Sequence, residues 1–399
     1  MKIAMMTNNY KPFVAGVPIS IERLSDSLRS QGHEVVIFAP SYDGQEEEAD
    51  VVRYKALLRG VAGGFSVPNN LDMEIERRFR EGNFDVIHVH HPMMIGQSAR
   101  YLSWKYHVPL VFTYHTRYEQ YMHYIGLSKL KGIMPAYLRS YTRHCDMVIA
   151  PTPLMKEYLE QIQAGVDVRV LPTGLTDDSF KPDHKRAAIL RKELAGDRKY
   201  LFCTVARLAK EKNLEFLFRC MKLRKEVCGS DFKLALIGDG PQRKELERLA
   251  IRYGINEEIT FVGKVPNQEI KNYCHASDLF LFSSLSETQG IVLLESMAVG
   301  TPVIALRATG TEDVVINGIN GYMTEASEKE FICKLMDILE KKEVDLLRQG
   351  AYETAQNYRC ERIAHEAEEA YVQAIWSRRE KDQRKAGHRN GGKNMVYSG

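Results

Sequence analysis

Short apolar runs rich in β-branched and aromatic residues alternate with amphipathic helical stretches from one end of the chain to the other. This alternation limits the folds open to the chain more than any other feature. KIAMMT, EVVIFA, DVIHVH, LVFTYH and MVIAP supply the runs of the first half; YLFCTVA, KLALIG, ITFVG, LFLFS and PVIAL supply those of the second. Between them lie helix patterns such as Val17, Ile21, Leu24 and Leu28, spaced four, three and four apart. Parallel strands need a crossover helix between them, so the pattern predicts an α/β chain with doubly wound parallel sheets covered on both faces. No repeat of solenoid length is present; two Rossmann-like halves are expected instead.

With 399 residues the chain has the length of two ordinary domains, and its 44% apolar content is enough for sizeable cores. Pro, Gly and acidic residues cluster in PTGLTDDSFKPDHK, residues 172–185. The expected division is a first domain over 1–172, a linker over 173–185 and a second domain over 186–360. A helix over 361–378 is expected to cross back to the first domain, followed by a disordered basic tail over 379–399. Two such domains facing each other place a ligand cleft at the C-terminal ends of both sheets.

A net charge of +3 gives no whole-chain argument for nucleic acid. The seven cysteines, at 145, 203, 220, 228, 274, 333 and 360, are scattered and odd in number. They suit reduced, buried thiols of a cytosolic protein rather than a disulfide framework or a zinc site. The opening MKIAMMTNNY enters a strand at once and leaves no room for a signal peptide. No apolar run approaches the roughly 18 residues of a spanning helix, so any membrane contact is expected at the surface.

The chemistry-bearing candidates sit at strand-to-helix turns. In SSLSETQGIVLLESMAVGTPVIA, Glu287 precedes an expected helix over 290–299 and Glu295 lies in it, with seven residues between the two acids. Carboxylates there suit sugar and ribose hydroxyls, and the helix N-terminus suits a phosphate. Spacing alone favours the plainer reading, in which Glu287 caps the helix and Glu295 is solvated or salt-bridged. VARLAKEKN places Arg207 and Lys212 at one turn, where two cations can clamp a diphosphate or merely form a surface charge cluster. Gly16, in NNYKPFVAGVPIS, allows close backbone approach, but the GxGxxG dinucleotide fingerprint is absent. LIGDGPQ is either a nucleoside pocket wall or a plain turn. DVIHVHHP brings His88, His90 and His91 to a strand end, where structural or substrate-contacting roles outrank a metal. Residues 117–143 combine Tyr118, Tyr121, Tyr124, Tyr137 and Tyr141 with Arg117, Lys129, Lys131, Arg139 and Arg143. They fit an interfacial element on anionic lipid and, equally, a core helix with snorkelling cations.

The stretch from Glu287 to Glu295 resembles the E-x7-E motif of retaining glycosyltransferases of GT-B fold, family 4. The likeness extends to the first glycine loop, TYHT, ARL with EKN, IGDGP, FVGKVP and the C-terminal helix. It implies two Rossmann-like domains facing each other across a cleft, with a nucleotide-sugar donor held by the second. It places Glu287 at the donor sugar, Glu295 on the ribose, and Arg207 and Lys212 on the diphosphate. Thr288, Gln289 and Gly290 would contact sugar hydroxyls or phosphate. Gly263 to Val265 would flank the base, His115 the sugar near its 6-hydroxyl, and Gly16 the diphosphate. Two small departures stand out: Ala15-Gly16 where paired glycines are usual, and Ala206 where a glycine is usual. No D-x-D triplet supports a metal-dependent site, so neither a metal nor a cofactor is expected.

TYHTRYEQYMHYI, with ETQG, resembles bacterial 1,2-diacylglycerol 3-glucosyltransferases. That implies retaining transfer of a hexose, first of all glucose, from a UDP-sugar to a lipid hydroxyl, by a cytoplasmic enzyme peripheral at the inner face of the plasma membrane. Other readings carry a soluble or polyprenyl acceptor, or a catalytically silent GT-B partner subunit. An epimerase is disfavoured by the full acid motif, and an NAD-dependent oxidoreductase by the missing fingerprint.

Overall fold

The computed structural model describes residues 1–13, 15–43, 45, 48–61, 65–69, 72–117, 132–162 and 164–391. The chain divides into two compact units: Met1–Thr173 together with the C-terminal stretch from Glu361, and Gly174–Cys360.

In the first unit the strands are β1 (Lys2–Met6), β2 (Glu34–Pro40), β3 (Val51–Tyr54), β4 (Ala56–Val61), β5 (Phe65–Pro68), β6 (Val86–Val89), β7 (Leu110–Thr113), β8 (Met147–Ala150) and β9 (Val168–Val170). Seven of them form one parallel sheet in the order β3-β2-β1-β6-β7-β8-β9, while β4 and β5 make a separate antiparallel hairpin. Each face of the sheet is covered, as alternation along β1 requires. Ile3 and Met5 enter one apolar cluster with Ile21 and Leu28 of the helix Gly16–Ser30; Ala4 and Met6 enter the other with Ile95, Ala99 and Leu102 of the helix Ile95–Tyr106. Met6 lies beside Phe38 on one side and Val89 on the other, so Thr7, His90 and Tyr114 emerge at one edge. That edge is the C-terminal one, where doubly wound sheets bind ligands.

The second unit contains β10 (Tyr200–Val205), β11 (Phe232–Ile237), β12 (Ile259–Gly263), β13 (Leu279–Phe282), β14 (Val303–Leu306) and β15 (Gly321–Thr324). They form a parallel sheet in the order β12-β11-β10-β13-β14-β15. Cys203 and Val205 pack on one side of it and Phe202 on the other. From Gly174 onward the 173–185 stretch belongs to this unit. The Leu175 amide donates to Tyr358 O at 2.6 Å and Phe180 is buried.

The C-terminal helix differs from the expected one. It runs over Cys360–Gly391, so residues 379–391 continue a helix where a disordered tail was expected. The reason is an anchor near that point. Arg378 Nε and Lys381 Nζ bind the two oxygens of Asp146 at 3.0 and 2.9 Å, and the Asp146 side chain is 1% exposed. Around it Arg379, Glu380, Gln383, Arg384, Lys385 and Ala386 are strong helix formers. Further up the helix, Ala364, Ala367, Tyr371 and Ala374, spaced three, four and three apart, are buried in the first unit's core. Among the described residues no helix is long and apolar enough to cross a membrane. Cys145, Cys203, Cys220 and Cys274 are buried free thiols, whereas Cys228 and Cys333, expected inside, are exposed at helix surfaces.

Candidate active site

Two loops at neighbouring strand ends build the site of the second unit. After β10 the chain passes Arg207, makes a short turn of 3-10 helix over Lys210–Lys212, and enters the helix Leu214–Cys228 through Asn213. After β13 it passes Ser283 and Ser284 to reach Glu287 and the helix Ile291–Ala298. Strands β10 and β13 are adjacent, so the loops meet. Ser283 Oγ donates to Lys212 O at 2.9 Å, Ser284 Oγ to Glu211 O at 3.2 Å, and Asn213 Nδ2 to Ser283 O at 3.2 Å. Across this seam Lys212 Nζ donates to Glu287 Oε1 in an ion pair, with both side chains about one-fifth exposed (23% and 22%). Arg207 lies on the same turn and is exposed.

Glu287 is held from behind by Gly310. A Cβ there would come within 2.7 Å of Glu287 O, and Gly310 has φ +84°. Gly290, with φ +66°, forms the N-cap of the helix; as a glycine it offers no side-chain cap, and the first turn holds no acid. The N–H groups of that turn and the local partial positive charge therefore face the loop that carries Thr288 and buried Gln289. Glu295 is half-buried one turn into the helix, between buried Leu294 and Ser296. The expected helix over 290–299 is thus observed as eight residues with Gly290 and Val299 as its caps.

Gly263 ends β12 with φ +86° and its carbonyl accepts from Gly238 N at 2.8 Å. Val265 is partly buried against the unit's core, so at least part of its side chain serves packing. The glycines of LIGDGPQ have a steric duty: a Cβ at Gly238 would sit 2.0 Å from Ala206 O and one at Gly240 2.5 Å from Leu208 O.

In the first unit, Gly16 is the exposed first residue of the helix Gly16–Ser30, whose N-cap Ala15 offers no side-chain cap. His115, two residues past β7, meets His90: His90 Nδ1 lies 2.9 Å from His115 Nε2. His88 is tied to the Tyr371 hydroxyl at 2.8 Å and to Thr113 Oγ1 at 2.6 Å, which makes it structural. His91 Nδ1 accepts from the Asn8 amide at 3.2 Å. Burial first, then neighbouring rings, pushes His88 and His91 down to about 3; burial brings His115 down to about 4 and drives His90 down as well. All four are neutral near pH 7. Among the described residues no group of three potential ligands could hold a metal.

Tyr118, Tyr121, Tyr124, Lys129 and Lys131 lie outside the described residues. In the described remainder of that segment Tyr141 is buried and Tyr137 and Arg139 are half-buried, whereas Ile133 and Arg143 are exposed. Tyr137 donates to Pro92 O at 2.8 Å, Tyr141 to Gly96 O at 3.0 Å, and Arg139 Nε to Ile162 O at 3.0 Å. The Gly310 contact, the two serine bonds and the His90–His115 pair are features of the candidate site that the one-dimensional pattern did not single out.

The fold and site define a GT-B glycosyltransferase. The chain belongs to the glycosyl transferases group 1, whose profile matches residues 185–357, with the Glycosyltransferase Family 4 profile matching 14–179. An α-monoglucosyldiacylglycerol synthase of Streptococcus pneumoniae is 32% identical over 76% of this chain and 71% of its own length. One of Acholeplasma laidlawii is 28% identical over 94% and 98%. A GDP-mannose-dependent α-mannosyltransferase of Corynebacterium glutamicum is 24% identical over 82% and 77%. Among solved structures, Anabaena HepE in complex with UDP superposes with TM-score 0.74 at 19% identity, covering 93% of this chain and 100% of that one.

Proposed function

We propose that this enzyme transfers glucose from UDP-glucose to the free hydroxyl of 1,2-diacylglycerol, retaining the α configuration, as a peripheral protein at an anionic membrane surface. The observation that carries the reading is the Lys212–Glu287 pair, which joins a phosphate-type cation and a sugar-type carboxylate across two hydrogen-bonded loops. Two relatives named α-monoglucosyldiacylglycerol synthase support the donor sugar and the acceptor.

In this reading Arg207 and Lys212 bind the diphosphate, and the helix N-terminus at Gly290 adds its partial charge. As the anomeric C–O bond to the diphosphate breaks, negative charge grows on the leaving oxygen, and these preorganised groups stabilise it. The acceptor oxygen bonds to the same face of the anomeric carbon, and its proton passes to an oxygen of the departing diphosphate. Glu287, Thr288 and Gln289 orient sugar hydroxyls, with His115 assigned the 6-hydroxyl side. Glu295 holds the ribose, Gly263 and Val265 flank the base, and Gly16 approaches the diphosphate. Neither step calls for a metal or another cofactor.

A GDP-mannose donor is the second reading, favoured by the mannosyltransferase relative. The test is incubation with UDP-glucose or GDP-mannose and a diacylglycerol dispersion, with identification of the lipid product and its anomer. An α-glucosyl diacylglycerol is expected. A product from GDP-mannose alone removes the donor assignment, and transfer only to a soluble or polyprenyl alcohol removes the acceptor. Absence of transfer from either donor, with nucleotide still bound, points to a silent GT-B partner subunit. For the membrane, co-sedimentation with anionic vesicles is expected to weaken at high salt and in Lys129→Glu, Lys131→Glu. Equal binding to neutral vesicles removes that part.

A further inference from the structure

Two histidines of the first unit are joined ring to ring. His90 and His115 stack with centroids 5.1 Å apart and planes 25° from parallel, and one hydrogen bond of 2.9 Å links His90 Nδ1 with His115 Nε2. On its other side His90 packs on His88, with centroids 4.3 Å apart. His88 is fixed at both nitrogens, by Tyr371 and Thr113. His90 is 1% exposed, and its Nε2 is buried without a hydrogen-bond partner among the described residues.

A neutral pair sharing one hydrogen bond has two proton arrangements. In the first, His90 Nδ1–H donates to a bare His115 Nε2, and His115 carries its own proton on Nδ1. In the second, His115 Nε2–H donates to a bare His90 Nδ1, and His90 carries its proton on Nε2. The second arrangement leaves a buried N–H with no acceptor. The first leaves only an unused lone pair at the same nitrogen. Orphaned buried N–H groups are the rarer of the two and carry a full desolvation penalty.

We propose that His90 is a positioning residue that fixes His115 as its Nδ1–H tautomer, so that His115 meets the substrate as a hydrogen-bond donor to a hydroxyl oxygen of the transferred sugar. The sugar contact rests on the glycosyltransferase reading given above; the tautomer rests on the unpartnered His90 Nε2. The arrangement also links the site to the C-terminal helix, because Tyr371 holds His88 and His88 packs against His90.

The test is nitrogen-15 NMR of the histidine side chains of the full chain at neutral pH, with His115 assigned by its loss in His115→Gln. A protonated Nδ1 and a bare Nε2 on His115 are expected; a protonated Nε2 overturns the proposal whatever the substrate proves to be. His90→Asn keeps a side-chain amide donor near the position of Nδ1–H. It is expected to hold the tautomer and to keep turnover within about threefold of wild type, whereas His90→Leu loses about tenfold or more in kcat with unchanged nucleotide affinity. Wild-type kcat in a folded His90→Leu, or equal losses in both variants, overturns the positioning role. Lack of sugar transfer by wild type removes the functional reading and is seen independently of the NMR signals.

Discussion

Lys212 and Glu287, 75 residues apart in the chain, form an ion pair across the ends of adjacent strands of the second unit. The pair is about one-fifth exposed, so its own contribution to stability is small, on the order of 0–1 kcal/mol. Its chemical weight should be far larger. Lys212→Ala is expected to lower turnover by roughly 10²-fold or more, the scale of losing one preorganised charge-stabilising group. Glu287→Gln should reduce kcat with UDP affinity nearly kept, whereas Glu295→Gln should weaken UDP binding. Calorimetric UDP titration beside steady-state rates separates the two acids. UDP binding that survives in Glu295→Gln and is lost in Glu287→Gln reverses their roles.

Gly310 offers a test of the same loop from behind. Alanine there must adopt φ +84° and bring its Cβ to 2.7 Å from Glu287 O. Left-handed backbone costs a non-glycine residue roughly 1–2 kcal/mol, and the contact with a backbone oxygen can be relieved only by moving the loop. Gly310→Ala should therefore lower both the melting temperature and kcat. Wild-type activity in this variant would show that the loop can shift without disturbing Glu287.

How much of this was legible in the sequence follows from burial. LVFT, MVIA, LFLF and VIAL announce themselves because β7, β8, β13 and β14 are buried along their whole length. The edge strands β3, β9 and β15 were not recognisable, since their burial patterns (iBiB, Bie and BiiB) produce no apolar run. The hairpin of β4 and β5 exposes Leu57 and Leu58 and shows no clean alternation either. Arg207, Lys212 and Glu287 stood out because each lies at a strand-to-helix turn, and Glu295 because it follows Glu287 at a fixed short spacing inside the next helix, both local signals. The His90–His115 pair depends on the register that sets Val89 beside Phe112, and the His88–Tyr371 bond spans 283 residues. Nothing within TGT at 309–311 tells that Glu287 lies against its glycine.

The histidine cluster makes a pH prediction with a definite sign. His88 and His91 fall from 6.5 to about 3 in the folded chain and His115 to about 4, each mainly through burial. Between those values the unfolded chain binds more protons than the folded one, so stability rises with pH. The contribution is fully present above about pH 6.5 and is lost as pH falls toward 4 and then 3. Each group weakens folding by about 1.4 kcal/mol per pH unit inside its window. Chemical denaturation at stepped pH should show loss beginning near pH 6.5, before carboxylates enter their range. Constant stability from about pH 7 down to about pH 5 would count against neutral, buried histidines.

The C-terminal helix supplies the last prediction. Asp146 is buried at the start of β8, and its carboxylate accepts from Leu110 N at 3.0 Å, Arg378 Nε at 3.0 Å and Lys381 Nζ at 2.9 Å. Removing both cations in Arg378→Ala, Lys381→Ala leaves a buried charge with only a backbone partner. Breaking a buried pair from one side costs about 3–5 kcal/mol, mostly the penalty of the charge left behind. The double variant should thus unfold at clearly lower urea, and adding Asp146→Asn should recover part of the loss, because a neutral amide is cheaper to bury unpaired. A triple variant weaker than the double variant would mean that the carboxylate is satisfied by the Leu110 amide alone. The two cations would then act by packing the helix rather than by neutralising Asp146.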